Sequence, residues 1–361
     1  MKRFIFNHFD AELQRIQTMQ PTELNGLEVY SGRALCLSES CDVIQLDPEL
    51  KSNWEWVINH YSQIGLSHTT QVVWDNRFEI LNDFPSHEIS AFIFSPEINK
   101  IRENRRWLKI VERMNSKNKF VKMCEKIGIP TPKTWFFSTK DEAVKCQFPY
   151  PVYLKAATSV SGLGVARCIN RQYLELHLST MSAGDFQIQE EIKDAVFLNL
   201  TYAIYNGKLE KIASTRQILK GFSHNGNIFP SGEIDPWHIT DPIAEHLFRE
   251  GMLGTFGFDV AVTPFGCFAI ECNPRFNGSV YPAIIANKLG INKWFATNTS
   301  TKGNSLNDVC LGSIEYNKNT RKGVVVVNWG AVARNKIGVL ISANSNEEQQ
   351  WYTDELKKVL S

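Results

Sequence analysis

GFDVAVTPFGCFAIECNPRFNGS, residues Gly257 to Ser279, reads as two strands, Phe258 to Val262 and Cys267 to Cys272, joined by the turn Thr263-Pro264-Phe265-Gly266. Folded as a hairpin, the strands can bring Asp259 and Glu271 face to face. Alternation puts Asn273 on the same face as Glu271, because side chains at i and i+2 point the same way. Two carboxylates and an amide oxygen are hard donors suited to a Mg²⁺ that bridges nucleotide phosphates. Arg275 adds a planar fork of donors for a phosphate or carboxylate. A structural ion pair is the competing reading, but charges set among Phe268, Ala269 and Ile270 are costly unless paired or used.

Upstream, VYLKAATSVSGLGVAR (Val152 to Arg167) is a strand ending in Lys155, a small-residue loop with Ser161, Gly162 and Gly164, and a second strand. Glycines permit positive φ and let backbone N–H groups approach a polyphosphate, while Lys155 supplies positive charge. No GKS or GKT ends the loop, so it is not a Walker A motif, and a plain hairpin with glycine in its turn stays open. FQIQEEI (Phe186 to Ile192) alternates as a strand and ends in Glu190 and Glu191. Its edge can pair with an adenine while a carboxylate holds a ribose; alternatively the two acids simply face solvent.

Further out, Asn118 to Ile127 reads as a helix stopped by Gly128 before Pro130 and Pro132, followed by a strand, Thr134 to Phe137, and a short helix, Asp141 to Lys145. In the first hundred residues, Arg33–Ser38, Asp42–Leu46, Gln71–Trp74 and Ala91–Ser95 are strand-like, and Ser52–Gly65 is helical. This alternation predicts a small α/β domain with a largely parallel sheet. The basic stretch Ile98 to Met114, with Lys100, Arg102, Arg105, Arg106, Lys109 and Arg113, reads as a helix with a solvated face laced by Glu103 and Glu112. The tail holds strands Val324–Asn328 and Gly338–Ser342 and an amphipathic helix, Asn346–Leu360.

In their order and spacing, Asn118-Lys119, Lys155 with its glycine loop, QEEI and ECNPRFNGS resemble the ATP-grasp superfamily of carboxylate–amine ligases, over about residues 115 to 300. The tail resembles a module of the peptide-ligase branch related to pheganomycin synthesis. The resemblance implies an ATP-grasp fold after a small parallel-sheet domain, with a small C-terminal α+β module. The implied segments are 1–114, 115–190 (lid), 191–305 (metal site) and 306–361. It implies that Lys119 and Lys155 contact nucleotide phosphates under a loop of Ser161, Gly162 and Gly164, and that Glu190, Glu191 and Ile192 read the adenine. Asp259, Glu271 and Asn273 would hold Mg²⁺, or Mn²⁺ in its place. Arg275 and Lys155 would stabilise the transferring phosphoryl group, with Arg216, Lys220, His224 and Asn277 toward the acceptor. Three departures stand out: Ala156 replaces a frequent proline, Asp259 replaces a frequent Glu or Gln, and Asp194, Val196 and Asn199 stand where the family often has a ribose-binding acid.

The implied reaction is ATP-dependent: a carboxylate is activated as an acyl phosphate and joined to an amine of an amino acid, peptide or metabolite, releasing ADP and phosphate. A small-molecule kinase on the same fold and a non-catalytic nucleotide-binding module are the alternatives. Partners are small carboxylates and amines, with a carrier protein and a homodimer both admitted.

Composition sets the outer bounds. The 361 residues are 43% hydrophobic, and 39 Lys plus Arg against 38 Asp plus Glu leave a net charge of +1, which argues against a broad nucleic-acid surface. Asn7, His8 and Asp10 interrupt any signal-peptide core, and the apolar runs fall short of the ~20 residues of a membrane helix. The eight cysteines show no CxxC and are expected to be reduced, mostly buried hydrophobes. The expectation is a cytoplasmic protein with no membrane partner.

Overall fold

Short apolar runs between turn residues give the N-terminal region a sheet made only of parallel pairs. In the computed structural model, which describes residues 3–9, 27–159 and 164–361, β1 (Phe4–Asn7), β2 (Val43–Leu46), β3 (Val72–Trp74) and β4 (Glu88–Ala91) lie in the order β3-β2-β1-β4. Helix α1 (Trp54–Ile64) ends at Gly65, whose φ of 76° supplies a left-handed cap. By compactness the chain divides in two: Met1–Arg105, Gly226–Pro230 and Asn277–Ser361 form one unit, and Arg106–Asn225 with Ser231–Phe276 form the other.

Three local expectations are corrected. Arg33–Ser38 is not a strand but lies almost wholly within a 3₁₀ run, Leu27–Leu37, where Gly32 packs so tightly under Trp329 that a Cβ would sit 2.9 Å from its ring. The strand placed at Ala91–Ser95 comes earlier, as β4, because Ser95 is the N-cap of α2 (Pro96–Ile101), accepting from the Ile98 N–H. The basic stretch forms two helices, α2 and α3 (Arg105–Met114); between them Arg102 turns to donate to the Phe84 carbonyl at 3.0 Å. Arg113 of α3 pairs with Glu250, so this face is partly structural.

The second unit continues with α4 (Lys117–Lys126), β5 (Thr134–Phe137), α5 (Lys140–Val144), β6 (Val152–Ala156), β7 (Val165–Cys168), α6 (Arg171–Thr180) and β8 (Phe186–Glu190). Its small antiparallel sheet has the order β5-β8-β6-β7. One face closes a core of Val152, Leu154, Phe186 and Ile188 against Ala143, Leu174 and Leu178. Period-two alternation leaves Tyr153, Lys155, Gln187 and Gln189 on the other face.

Next come β9 (Val196–Tyr205), β10 (Lys208–Lys220), β11 (Ser223–Phe229), α7 (Trp237–Glu250), β12 (Gly254–Thr263) and β13 (Gly266–Asn273). Within the second unit β13, β12, β9 and β10 pair antiparallel in that order. Phe120 of α4 stacks on Phe258 of β12, and Trp237 and Thr240 of α7 meet Tyr202 of β9.

The first unit resumes with α8 (Val280–Leu289), β14 (Trp294–Ser300), β15 (Gly323–Asn328), β16 (Lys336–Ser342) and α9 (Asn346–Leu360). There Gly226–Phe229 of β11, β14, β16 and β15 pair antiparallel in that order. All eight cysteines are free; four are buried, while Cys146 and Cys310 are exposed. No helix among the described residues is long and apolar enough to cross a membrane.

Candidate functional site

Strand register builds a line of polar side chains. Glu271 on β13 stands opposite Asp259 on β12, Asp259 opposite Asn199 on β9, and Asn199 opposite Thr215 on β10. Residues directly opposite on neighbouring strands share a face, so all four present to one side of the sheet. One pleat along, Asn273 faces Gly257, and Gly257 faces Thr201. Asn199 Nδ2 donates to Asp259 Oδ1 at 2.6 Å, while the Thr201 hydroxyl donates to Asn199 Oδ1 at 3.0 Å and so holds the amide in that orientation.

Two like charges this close cannot both ionise freely. Burial, then the field of Glu271, pushes the Asp259 carboxyl well above its ordinary range; a hydrogen bond joins the two acids. Burial would raise Glu271 as well, but Lys117 and Lys155 hold it low. The pair shares a proton that a divalent cation would displace. Among the described residues no three His, Cys, Asp or Glu cluster. The donor set is therefore two carboxylates with Asn273 alongside, and phosphate or water oxygens would complete the usual six-fold shell of Mg²⁺.

The cation beside these acids is Lys117. It opens α4, after the N-cap Ser116, and its Nζ lies 3.0 Å from Glu271 Oε2 and 3.2 Å from Ser159 Oγ. Its own N–H donates to the Ala157 carbonyl at 2.7 Å, tying the helix start to the end of β6. Lys119, the lysine singled out from the sequence, is exposed, and among the described residues nothing joins its side chain to Glu271. Two residues apart on a helix is about 200° of rotation, so only one of the two lysines can face the acids.

Lys155 lies where it was expected, at the end of β6, half-buried, with Nζ donating to Gln189 Oε1 at 2.6 Å. Burial pulls its pKa down to about 8 against the opposing fields of Glu271 and Asp259. Gln189 Nε2 donates onward to Thr134 Oγ1 at 2.9 Å. Gln187 lies across from Lys155 in the register, fully buried, and among the described residues neither end of its amide has a hydrogen-bond partner. In the sequence, only the polar alternation of Gln187-Ile188-Gln189 signals these two glutamines.

Glu190 is exposed, and its N–H donates to the Lys133 carbonyl at 2.9 Å. Glu191 is committed: Arg167 grips both its oxygens, at 2.5 and 3.0 Å, and the Tyr153 hydroxyl adds a third contact at 3.1 Å. That pairing holds the Glu191 carboxyl below its ordinary range. Ile192 follows, partly buried. Gly164 takes a φ of 67° and accepts from the Ala156 N–H, while Ser161 and Gly162 lie outside the described residues. Arg275 is partly exposed and donates to Asn115 Oδ1 at 3.3 Å.

The acceptor-side residues are not drawn to the acidic row. Arg216 pairs with Leu198, on the face opposite Asn199 and Thr215. The reason is a bulge between Lys211 and Ala213; without it the register would slip by one residue and turn Arg216 to the acidic side. Lys220 and His224 are exposed beside the turn from β10 to β11. Asn277 belongs to the other unit, where its Oδ1 accepts from the Ser279 N–H at 3.0 Å and hydroxyl at 2.6 Å ahead of α8.

No family model matches the chain, and no curated protein matches it in sequence. Solved structures do. The N5-carboxyaminoimidazole synthetase of Staphylococcus aureus, complexed with ADP, is 12% identical with a TM-score of 0.63, covering 99% of this chain and 96% of that one. The biotin carboxylase domain of the Hydrogenobacter thermophilus 2-oxoglutarate carboxylase, a dimer with MgADP and bicarbonate, is 12% identical with a TM-score of 0.59, covering 99% and 89%. The L-amino acid ligase of Bacillus licheniformis is 15% identical with a TM-score of 0.59, covering 99% and 98%. The chain shares the ATP-grasp fold of these structures, a mixed α/β architecture running nearly its whole length.

Proposed function

We propose that the chain is an ATP- and Mg²⁺-dependent ligase that activates a small-molecule carboxylate as an acyl phosphate and joins it to an amine. The observation that carries this reading is the convergence of two opposed carboxylates, Asp259 and Glu271, with two lysines, Lys117 and Lys155, on adjoining elements of one unit. Idle surface charge has no reason to be buried in this way. The ATP-grasp fold, and the ADP and MgADP carried by similarly folded proteins, support the choice of nucleotide and metal.

Asp259, Glu271 and Asn273 would hold the metal, which would supply positive charge against the phosphates. Lys117 and Lys155 would hold the phosphates, each exchanging a present protein partner for a phosphate oxygen. Backbone groups of Glu190 and Ile192 would meet the adenine, with Glu191 kept in place by Arg167 rather than offered to the ribose. Arg275, with its fork only partly used by Asn115, would steady the transferring phosphoryl group. Such transfer needs little covalent chemistry from side chains, so positioning and charge suffice. Amide formation, rather than another fate of the acyl phosphate, is supported by the likeness to an L-amino acid ligase.

The test is ³¹P NMR of the protein with Mg-ATP, a pool of amino acids and small carboxylates, and hydroxylamine as a trap. ADP, phosphate and a hydroxamate are expected. AMP with pyrophosphate would overturn acyl-phosphate chemistry, and a stable new phosphate ester would turn the reading to a kinase.

A further inference from the structure

The unit containing the parallel sheet holds a charge that its described residues leave unpaired. Arg33 sits on the 3₁₀ run Leu27–Leu37, and its backbone is pinned on both sides. Trp329 Nε1 donates to the Gly32 carbonyl at 2.6 Å, and Cys36 Sγ donates to the Arg33 carbonyl at 3.2 Å. The guanidinium carbon lies 4.6 Å from the ring centre of Phe92, 4.7 Å from that of Tyr281 and 5.8 Å from that of Tyr30. Its Nε is buried and has no hydrogen-bond partner among the described residues. Among the described residues no carboxylate pairs with this guanidinium and no acceptor takes a hydrogen bond from it.

Other partly buried arginines of the chain have polar partners: Arg113 has Glu250, Arg334 has Glu49, Arg102 has the Phe84 carbonyl and Arg275 has Asn115. Aromatic faces attract the charge of Arg33 but accept none of its N–H donors. The side chain is partly exposed, so its outer edge can be reached from solvent. A fork held among rings, with its outer edge reachable, is preorganised for a planar bidentate anion. The Tyr30 hydroxyl, beside it, has no hydrogen-bond partner among the described residues and can add a donor.

The neighbourhood also selects the anion's charge. His8, buried within ring distance of Phe92 and Tyr281, is kept neutral by burial and by the charge of Arg33. One positive charge then faces the ligand, which suits a monoanion. We propose that Arg33, with Tyr30 beside it, is a carboxylate-binding site for a small molecule carrying a single carboxylate. It uses none of Lys117, Lys155, Asp259 or Glu271, so it stands or falls separately from the ligase reading.

The test is thermal melting of the full chain without nucleotide or metal, titrated with sodium acetate against sodium chloride at equal ionic strength. The wild-type melting temperature is expected to rise saturably with acetate and less with inorganic phosphate. Arg33→Met is expected to lose that response, its apparent acetate affinity falling by roughly tenfold or more, as loss of a charge-assisted bidentate contact implies. In chloride it should melt no lower than wild type, because an unpaired charge has been replaced by an apolar chain of similar length. A wild type indifferent to acetate, or an Arg33→Met protein that responds equally, overturns the proposal. Saturation-transfer NMR from the folded wild-type chain to the acetate methyl repeats the measurement without relying on the variant; no transfer also overturns it.

Discussion

Asp259 and Glu271 face each other directly across β12 and β13, and the residue next in line, Asn199, donates to Asp259 instead of neutralising the pair. Lys117 meets Glu271 from the helix side, at 3.0 Å. The free protein therefore keeps a proton on this pair, held by burial and by the field of Glu271 on Asp259.

Asp259→Asn relieves that opposition and keeps the shape. The metal-free variant is expected to melt higher than wild type, by roughly 1–2 °C for each kcal/mol of repulsion removed in a chain of this size. Its Mg²⁺-dependent turnover should fall by about a hundredfold or more. Scanning fluorimetry with and without Mg²⁺ separates the two effects. A variant that is less stable and still active would contradict the arrangement.

Lys117 and Lys119 make a matched pair of experiments. Lys117→Met should weaken ATP or ADP binding by about ten- to a hundredfold, the worth of a charge-assisted hydrogen bond. Lys119→Met, exposed on the other side of α4, should stay within about twofold. Calorimetric titration of each variant with ADP and Mg²⁺ decides it, and the reverse order would move the phosphate contact back to Lys119.

The pH dependence of nucleotide binding follows from Lys155. Its pKa in the folded protein is about 8, below that of an ordinary lysine, so the free protein loses this charge as pH rises through 8. Nucleotide prefers the ammonium form, and above that point binding must recapture a proton. Affinity should therefore decline above pH 8, approaching tenfold per unit until the bound lysine also titrates. Lys155→Arg, charged throughout, should flatten the profile even if it binds more weakly. A wild-type affinity constant from pH 7 to 10 would remove Lys155 from the phosphates.

Arg216 supplies a negative control. On the face opposite Asn199, Arg216→Ala is expected to leave turnover and substrate KM within about threefold. Deleting one residue of the bulge at Ile212 should instead turn every side chain of β10 beyond it to the other face and cost the protein its fold or its activity. Loss of turnover in Arg216→Ala with ADP affinity unchanged would return it to the acceptor side.

Much of this molecule follows from local rules. Period-two alternation in Gly254–Asn273 puts Glu271 and Asn273 on one face of a hairpin, but Asp259 stands opposite Glu271 only because a bulge at Ile270 shifts the register between Asp259 and Val260. Strands at Thr134–Phe137 and the helix at Asn346–Leu360 lie where turn residues and periodicity put them, and Gly65 and Gly128 stop their helices with φ of 76° each. Tertiary structure alone decided the rest. Which lysine meets Glu271 depends on how α4 is rotated, and that is set by Phe120 stacking on Phe258 from a distant segment. Which way Arg216 points depends on one extra residue in β10, which no periodicity reveals. Glu191 was legible as an acid at a strand end, but not its capture by Arg167 across the sheet. Neighbours in sequence determine which elements form and which residues share a face. Packing and register determine where each face points, and so which charges meet.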